Sequence, residues 1–482
     1  MNYGIIKRIL GWILLFEAAF FLVPTLTALI YDEKQVYDFL IAMLACVAAG
    51  GLLLIGKPKS YAVYAKEGFV TVALCWVALS LFGAVPLRIS GAYPTYIDAL
   101  FEIVSGFTTT GACVLTSDAV AALPKSILIW RSFTHWIGGM GVLVFIMVFL
   151  PLCGGGSNIN LMRAESPGPT VNKLVPKMRS TTGILYLIYA GMTVLEFILL
   201  VFDMPAFDAV NIAFATAGTG GFTVRADGCA GYSPYAQIVI TVFMVLFSIN
   251  FTSYYFVLRG KFKDALNLEV RVFLGIVVTA ITLVTINLCL SNAYAYTTGE
   301  AIRHSAFSVA SIISTTGFAT ENFDLWPAFS KTILVMIMFV GACAGSTGGG
   351  IKVSRIIVLF KGAACETRRM LHPKQIQKIT MDKRAVDGET VRNIQGFLTA
   401  YIAVFILSLL IISLNGQSTT TNFTAVAATI NNIGPGLDAV GPAGNFGMFS
   451  WWSKLVFIFD MLVGRLEVFP MLVLFMPRTW RK

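Results

Sequence analysis

Four stretches of the sequence share a pattern that can hold a monovalent cation with main-chain oxygen atoms. In chain order they read DALFEIVSGFTTTGA, DAVNIAFATAGTGGF, HSAFSVASIISTTGF and TNFTAVAATINNIGP. They close at Gly111, Gly221, Gly317 and Gly434, and thirteen positions before each glycine stand Asp98, Asp208, His304 and Thr421. Glycine allows backbone angles closed to other residues. Rings of carbonyl oxygens can replace the hydration shell of such a cation.

The predicted ligands are the carbonyl groups of two residues in each loop: Thr110, Gly111, Gly220, Gly221, Thr316, Gly317, Ile433 and Gly434. Gly221 is aligned with the other glycines because Phe222 then matches Phe318. A register shifted by one residue is the alternative. A single such loop would ordinarily be a flexible connection, but its recurrence at four matched positions favours a fourfold internal repeat.

The composition places these loops in a membrane. Of 482 residues, 57% are hydrophobic and 12% are charged, whereas soluble domains carry about 25% charged residues. A spanning helix needs roughly 20 apolar residues. Such stretches lie near 5–30, 37–56, 68–86, 126–150, 182–203, 233–258, 270–291, 330–360, 393–414 and 451–476.

Shorter apolar segments precede the four glycines, near 96–108, 206–217, 302–314 and 420–431. They are too short to span a bilayer and are predicted to be re-entrant half-helices. Asp98 and Asp208 stand where the first two begin and are expected to cap them. Non-helical backbone at membrane depth must be buried in protein or line a water-filled cavity.

The distribution of positive charge predicts the orientation. The formal net charge is +10, and most Lys and Arg residues lie near the two ends and in 57–66, 163–179, 259–271 and 352–392. With ten spans, the positive-inside rule puts these segments and both termini in the cytoplasm. The same rule explains the net charge without a nucleic acid partner. The first apolar stretch is too long for a signal peptide and is interpreted as a retained helix.

A second glycine-rich string, GACAGSTGGGIK, interrupts the stretch 330–360. Each glycine costs a helix about 1 kcal/mol against alanine, so a break is predicted. No phosphate-loop pattern fits, because Gly350 is followed by Ile351 rather than Lys. Close helix packing is the alternative. We interpret the string as a mobile gate below the four loops, formed by Gly345, Ser346, Thr347, Gly348, Gly349 and Gly350.

Arg465 lies inside the last apolar stretch and is assigned to the same gate, because an ionisable residue in a span is a functional candidate. An ion pair with Asp460 or Glu467 is the alternative.

Other polar residues are expected to have supporting roles. Asp98 and Glu102 belong to a set of carboxylates expected to make the outer side acidic, with Asp118, Asp208, Asp227, Glu321 and Asp324. Packing behind the first loop is predicted for Arg131, His135 and Trp136. The cysteines form no metal-ligand pattern; a disulfide between Cys113 and Cys229 is an alternative to free thiols.

These motifs resemble the Trk/Ktr/HKT superfamily of potassium transporters, most closely its Trk-type membrane subunit. The similarity covers the whole chain and includes the loops TTTGA, GTGGF, STTGF and NIGPG, with WRSFTHWIGGMG, GSTGGGIKVSR and GPAGNF. The expected fold is an all-α polytopic membrane protein in which two N-terminal helices (1–66) precede four repeats with pseudo-fourfold symmetry around one pore. Each repeat is a span, a pore helix, a filter loop and a second span. The repeats are predicted at 67–180, 181–268, 269–390 and 391–482.

The resemblance also implies partners and a transported ion. It implies an inner-membrane homodimer with one pore per protomer, surrounded by lipid and controlled by a cytosolic TrkA-like ring that binds NAD(H) or ATP/ADP. The basic segment 361–392 is the expected docking surface for that ring. In the superfamily, serine at the first filter glycine accompanies sodium permeation, so Gly111 favours potassium. Potassium is expected as the transported substrate, without a bound organic cofactor.

Three function classes remain to be compared. A gated pore for potassium uptake is favoured. A proton- or sodium-coupled symporter is the alternative, with Glu17, Glu196, Asp460 and Glu467 as candidate buried acids. An enzyme is disfavoured because the sequence has no nucleophile–base constellation or HExxH motif.

Overall fold

The structure, a computed structural model, describes residues 1–56, 64–149, 178–291, 296–372, 378–382 and 384–480. Within helices, the side chains of 65, 141–149 and 178–182 fall outside the description. Most of the basic segment 163–179 and part of the basic segment 361–392 therefore lie outside the described residues.

The N-terminal part is a helical hairpin. Tyr3–Phe20 and Leu22–Ile30 form one apolar span of 28 residues, which packs against Val36–Leu54. The two helices approach closely at Gly11 and Gly50, since a methyl group on Gly11 would lie 2.8 Å from the carbonyl oxygen of Gly50. Small residues of this kind let helix backbones pack tightly in a membrane.

The rest of the chain is a succession of helices. Those up to the second short apolar segment are Ala65–Gly83, Val85–Ile89, Tyr96–Phe107, Ser117–Ala121, Lys125–Phe149, Met178–Val201 and Ala206–Gly218. The next are Pro234–Phe247, Phe251–Leu258, Phe262–Ala265, Leu268–Leu290, Thr298–Ile313, Ala328–Val340 and Val353–Leu371. The last are Gly388–Ser413, Thr419–Ile430, Trp451–Leu466, Phe469–Phe475 and Pro477–Trp480. Single 3-10 turns occur at Phe323–Leu325 and Asp438–Val440, and a two-stranded antiparallel hairpin pairs Thr380–Met381 with Arg384–Ala385.

The four predicted half-helices are present, at Tyr96–Phe107, Ala206–Gly218, Thr298–Ile313 and Thr419–Ile430. We call them short helices 1 to 4. Their C-terminal halves are almost completely buried. Some of their hydroxyl groups bond back to the helix, as Thr216 does to the carbonyl oxygen of Ile212 at 2.8 Å and Thr429 to that of Ala425 at 2.9 Å. These bonds satisfy polar groups that have no access to water.

Three of the ten predicted spans are interrupted in the part of the chain that the structure describes, although a break was predicted only within 330–360. Within the described residues, six helices are long and apolar enough to cross a membrane, or seven if Pro234–Phe247 and Phe251–Leu258 count as one span bent by 95°. The predicted stretch 330–360 is interrupted between Val340 and Val353, where glycine predicted a break. The stretch 451–476 is interrupted at Glu467 and Val468, which both have positive φ.

The predicted helix caps are also wrong. Thr95 caps short helix 1, because its hydroxyl accepts from the backbone N–H of Asp98. The residue before short helix 2 is Pro205, which makes no side-chain cap. Asp98 and Asp208 lie in the first turn instead, where the helix dipole stabilises a negative charge.

Candidate functional site

The four short helices end in the same backbone turn. We call the segments that follow loop 1 (108–111), loop 2 (218–221), loop 3 (314–317) and loop 4 (431–434). The second residue of each loop has a left-handed backbone conformation. Its φ is 56°, 55°, 61° and 55° at Thr109, Thr219, Thr315 and Asn432. The next N–H bonds back to a helix carbonyl five residues earlier, at 2.8–2.9 Å, in Thr110, Gly220, Thr316 and Ile433. This is a Schellman termination repeated four times.

The glycine after each turn also has positive φ, of 76°, 79°, 83° and 93° at Gly111, Gly221, Gly317 and Gly434. In loop 2, Gly221 therefore occupies the position of the other three glycines, and Gly220 that of Thr110, Thr316 and Ile433.

The four loops lie against one another in a closed cycle. A methyl group on Gly111 would lie 1.9 Å from the carbonyl oxygen of Gly220, and one on Gly221 would lie 2.0 Å from that of Thr316. The same construction places Gly317 against Ile433 at 2.1 Å and Gly434 against Thr110 at 2.6 Å. Each loop thus contacts the next one, and loop 4 returns to loop 1.

The carbonyl groups at this contact have no protein partner. In the described part of the chain, no hydrogen bond is donated to the carbonyl oxygens of Thr110, Gly220, Thr316 or Ile433, and these residues are buried. A buried carbonyl group without a partner costs free energy. The C-terminal ends of four short helices converge here, and such ends carry partial negative charge. The arrangement is therefore suited to a cation.

A cavity of about 120 Å³ lies on the side of the residues that follow the glycines, and Gly111, Gly221, Gly317 and Gly434 all line it. Arg131 and Arg225 also line this cavity. The expected contribution of Asp98 and Glu102 to an acidic outer surface is wrong, because both are buried.

Both carboxylates form buried ion pairs instead. Arg131 donates to Glu102 at 2.6 Å, and Lys454 donates to Asp98 at 2.6 Å. The second oxygen of Glu102 accepts from the backbone N–H of Val114, just after loop 1, at 3.1 Å. Removing one partner of a buried pair costs about 3–5 kcal/mol, so these pairs fix the position of short helix 1.

His135 links the first two loops from behind. Its Nδ1 lies 2.8 Å from the carbonyl oxygen of Gly106, and its Nε2 accepts from the backbone N–H of Phe222 at 3.3 Å. Nδ1 must therefore carry the proton, because Nε2 is the acceptor. Trp136 is the next residue, and its indole N–H donates to the hydroxyl oxygen of Thr193 at 3.3 Å.

The equivalent of Asp98 in the other short helices has other partners. Asp208 accepts from the hydroxyl of Tyr232 at 3.1 Å, and His304 contacts Thr320 at 3.0 Å. Thr421 donates to exposed Asp438 at 2.7 Å. Hydrogen bonds from Ser418 and Thr421 lower the pKa of the Asp438 carboxyl below its usual value.

On the opposite side of the loops lies the glycine-rich loop, 341–352. The backbone N–H of Gly349 donates to Thr315 of loop 3 at 2.7 Å, and a methyl group on Gly349 would lie 2.5 Å from the carbonyl oxygen of Asn431 in loop 4. The predicted gate residues therefore pack directly against loops 3 and 4, on the side from which the short helices enter them.

Arg465 joins three parts of the chain. Its guanidinium donates to the carbonyl oxygens of Thr347 at 2.8 Å, Gly138 at 2.5 Å and Gly139 at 3.1 Å. The two carboxylates considered as its ion-pair partners bond elsewhere: Glu467 with Arg355, and Asp460 with Ser408 at 2.6 Å. Arg465 therefore holds the glycine-rich loop against the helix Lys125–Phe149.

Two residues of the site were not predicted. Asn432 donates to the hydroxyl of Thr110 at 2.9 Å and so joins loop 4 to loop 1. Its signal was an asparagine two residues before a filter glycine, since asparagine tolerates the left-handed conformation. Glu269 bonds to the glycine-rich loop from far away in sequence, and no local pattern indicates this contact.

The cysteines do not form the disulfide that was considered. Cys113 and Cys229 are free thiols, and Cys113 donates to Glu102 at 3.2 Å. Among the residues that the structure describes, no cluster of His, Cys, Asp or Glu could hold a metal ion.

Comparison with known proteins places the chain in a family. A sequence model of the TrkH family, described as a cation transport protein, matches residues 35–482. The Trk system potassium uptake protein TrkH of Salmonella typhimurium is 37% identical over 495 residues, covering 100% of both chains. The Trk system potassium uptake protein TrkG of Escherichia coli is 31% identical and covers 99% of this chain and 98% of its own.

The fold comparison agrees. The crystal structure of the potassium transporter TrkH from Vibrio parahaemolyticus superimposes with a TM-score of 0.88 at 32% identity, covering 100% of both chains. These matches show a family of membrane transporters rather than enzymes, and the chain belongs to the TrkH family of cation transport proteins.

Proposed function

We propose that this chain takes up potassium through a single gated pore whose filter is the ring of loops 1 to 4. Potassium is the ion that the printed names of its relatives give. The observation that carries the pore is the closed cycle of loop contacts around buried carbonyl groups without protein partners. The proposed ligands are the carbonyl oxygens of Thr110, Gly111, Gly220, Gly221, Thr316, Gly317, Ile433 and Gly434.

The pore is built from four units in this proposal. The matched turns support a fourfold repeat at 67–180, 181–268, 269–390 and 391–482, with pseudo-fourfold symmetry around the ring and two N-terminal helices outside it. Carbonyl dipoles replace the hydration shell of the ion, and the four helix C-termini stabilise its charge. Because the loops differ in sequence, we expect moderate rather than strict selectivity.

The glycine-rich loop and Arg465 form the proposed gate. Residues 345–350 contact loops 3 and 4 on the side away from the cavity, and Arg465 fixes Thr347. Residues 345–350 carry no large apolar side chain, so hydrogen bonds hold much of this segment. Each neutral bond contributes about 1 kcal/mol, and the segment can therefore be released at modest cost.

The wider assembly is proposed from the resemblance and from charge. The chain acts as a homodimer in the inner membrane with both termini cytoplasmic, and a cytosolic TrkA-like ring that binds NAD(H) or ATP/ADP controls the gate. The basic segment 361–392 supports both the orientation and the docking of that ring.

A proton- or sodium-coupled symporter is the second candidate. Glu17 and Glu196 are completely buried, and neither carboxylate is bonded to any of the four loops in the described hydrogen bonds. Buried acids of this kind carry protons in coupled transporters, but neither of these bonds to the loops that would hold the ion, which favours the pore.

Rubidium flux into liposomes containing the purified chain separates the two candidates. A pore predicts passive uptake that follows the rubidium gradient and single-channel currents in planar bilayers, with sodium competing weakly. Uptake that requires an inwardly directed proton or sodium gradient, and shows no unitary currents, would establish the symporter instead.

A further inference from the structure

Glu269 occupies an unusual position beside the glycine-rich loop. It is the second residue of the helix Leu268–Leu290 and is only 7% exposed. One oxygen of its carboxylate accepts two backbone N–H bonds, from Ala344 at 2.7 Å and from Ser354 at 3.1 Å. Ala344 lies near the start of the loop and Ser354 in the first turn of the helix that follows it. A single oxygen atom thus ties both ends of the loop together.

We propose that Glu269 is the positioning residue that keeps the glycine-rich loop in its place against loops 3 and 4. This proposal deepens the gate and rests on the proposed function for its effect on flux. Hydrogen bonds to an ionised acceptor are roughly twice as strong as neutral ones. The N-terminus of Val353–Leu371, where Ser354 lies, further favours a negative charge.

The other hydrogen bonds of the loop are made by neutral backbone and hydroxyl groups or by positively charged side chains. The backbone N–H of Cys343 donates to the carbonyl oxygen of Ser248 at 3.0 Å, and the backbone N–H of Phe251 donates to that of Gly345 at 3.1 Å.

Positive groups also bond to the loop. Arg465 donates to the carbonyl oxygen of Thr347, and Arg355 donates to that of Ile351 at 3.5 Å. Lys352, at the end of the loop, donates to Gly348. Among the hydrogen bonds of the described residues, the Glu269 carboxylate is the one acidic side chain that bonds to the loop.

The hairpin at Thr380–Ala385 connects Glu269 to the basic segment. Asp382 at its turn accepts from the backbone N–H of Leu268 at 2.9 Å, one residue before Glu269. Lys361, on the helix Val353–Leu371, donates to the carbonyl oxygen of Thr380 at 2.8 Å. The hairpin therefore bridges the same two helices that Glu269 joins, so a partner that displaces it would shift the carboxylate and release the loop.

Cys343 reports on loop position independently of ion flux, because it lies in the loop and is fully buried. The experiment measures its rate of modification by a water-soluble maleimide in the intact chain, with mass spectrometry assigning the labelled cysteine. Rubidium flux is measured on the same liposomes. Asp264→Asn is the matched control, since Asp264 is also an acidic residue in the first turn of a helix, Phe262–Ala265, but is exposed and lies outside the segment 361–392.

Glu269→Ala is expected to raise the labelling rate of Cys343 by at least about tenfold, through loss of two charge-assisted hydrogen bonds. Glu269→Gln should give a smaller increase, because its amide oxygen still accepts both N–H groups without the charge. Asp382→Ala, remote from the loop, should also raise the rate, while Asp264→Asn should not.

Labelling at the wild-type rate in both Glu269 variants would overturn the role of Glu269. A wild-type rate in Asp382→Ala alone would overturn the link through the hairpin. Faster labelling with unchanged flux would leave Glu269 as the residue that positions the loop and would instead contradict the gate in the proposed function.

Discussion

Gly221→Ala is expected to abolish potassium transport while leaving a folded protein. The backbone at Gly221 has φ of 79°, a left-handed conformation that costs a residue with a Cβ atom about 1–2 kcal/mol. The new methyl group would also lie 2.0 Å from the carbonyl oxygen of Thr316, far inside contact distance. That oxygen is a proposed ligand, so relief of the clash must displace a filter atom.

Rubidium flux in liposomes checks this result. The expected loss is at least about a hundredfold, since displacement of a coordinating carbonyl costs the ion several kcal/mol. Gly275→Ala is the control, because Gly275 lies inside the helix Leu268–Leu290 with no atom within 4 Å of the new methyl group. Wild-type flux and wild-type selectivity in Gly221→Ala would contradict the filter.

Arg465→Ala is expected to increase rubidium flux in the absence of the cytosolic ring. The substitution removes the bonds to Thr347, Gly138 and Gly139. Hydrogen bonds to charged groups contribute about 1.5–3 kcal/mol each. Loss of even one therefore shifts the equilibrium between the closed and open states about tenfold toward the open state. Removing the positive charge also lowers the electrostatic barrier to a cation.

Arg465→Lys separates these two causes. Lysine keeps the charge but lacks the planar guanidinium that reaches Thr347, Gly138 and Gly139 together. It should therefore give an intermediate flux if the bonds dominate. Arg369→Ala, at an exposed ion pair with Glu366, is the control for removing a positive charge. A flux that stays dependent on the ring in Arg465→Ala, with normal folding, would contradict the gate.

Local sequence signals were sufficient for the ring of loops. Glycine at four matched positions, each preceded by a short apolar segment, predicted turns that the structure contains at Gly111, Gly221, Gly317 and Gly434. These features depend on backbone conformation and on the length of the apolar segment, and both are determined by residues that are neighbours in the sequence. The break at 341–352 was predicted for the same reason.

Contacts between distant segments were not predictable in this way. The bend after Phe247 occurs in the apolar run VLFSINF, which has no glycine or proline. There the carbonyl group of Ser248 accepts from Cys343, and the side chain of Asn250 caps the next helix. A contact across many residues therefore overrides local helix preference.

The same limit explains the incorrect roles of the acidic residues. Asp98 and Glu102 fit the pattern of an exposed helix start. In the structure they are buried in ion pairs with Lys454 and Arg131, respectively. The partner Lys454 lies 356 residues from Asp98, and a single sequence gives no measure of that proximity.

Diffraction from crystals grown with thallium, a heavy monovalent cation that substitutes for potassium, tests the ring most directly. We predict anomalous density enclosed by the carbonyl oxygens of Thr110, Gly220, Thr316 and Ile433, and its loss when potassium is added in excess. Density confined to sites outside this ring, such as the buried carboxylates of Glu17 or Glu196, would show that those oxygens do not coordinate the transported ion.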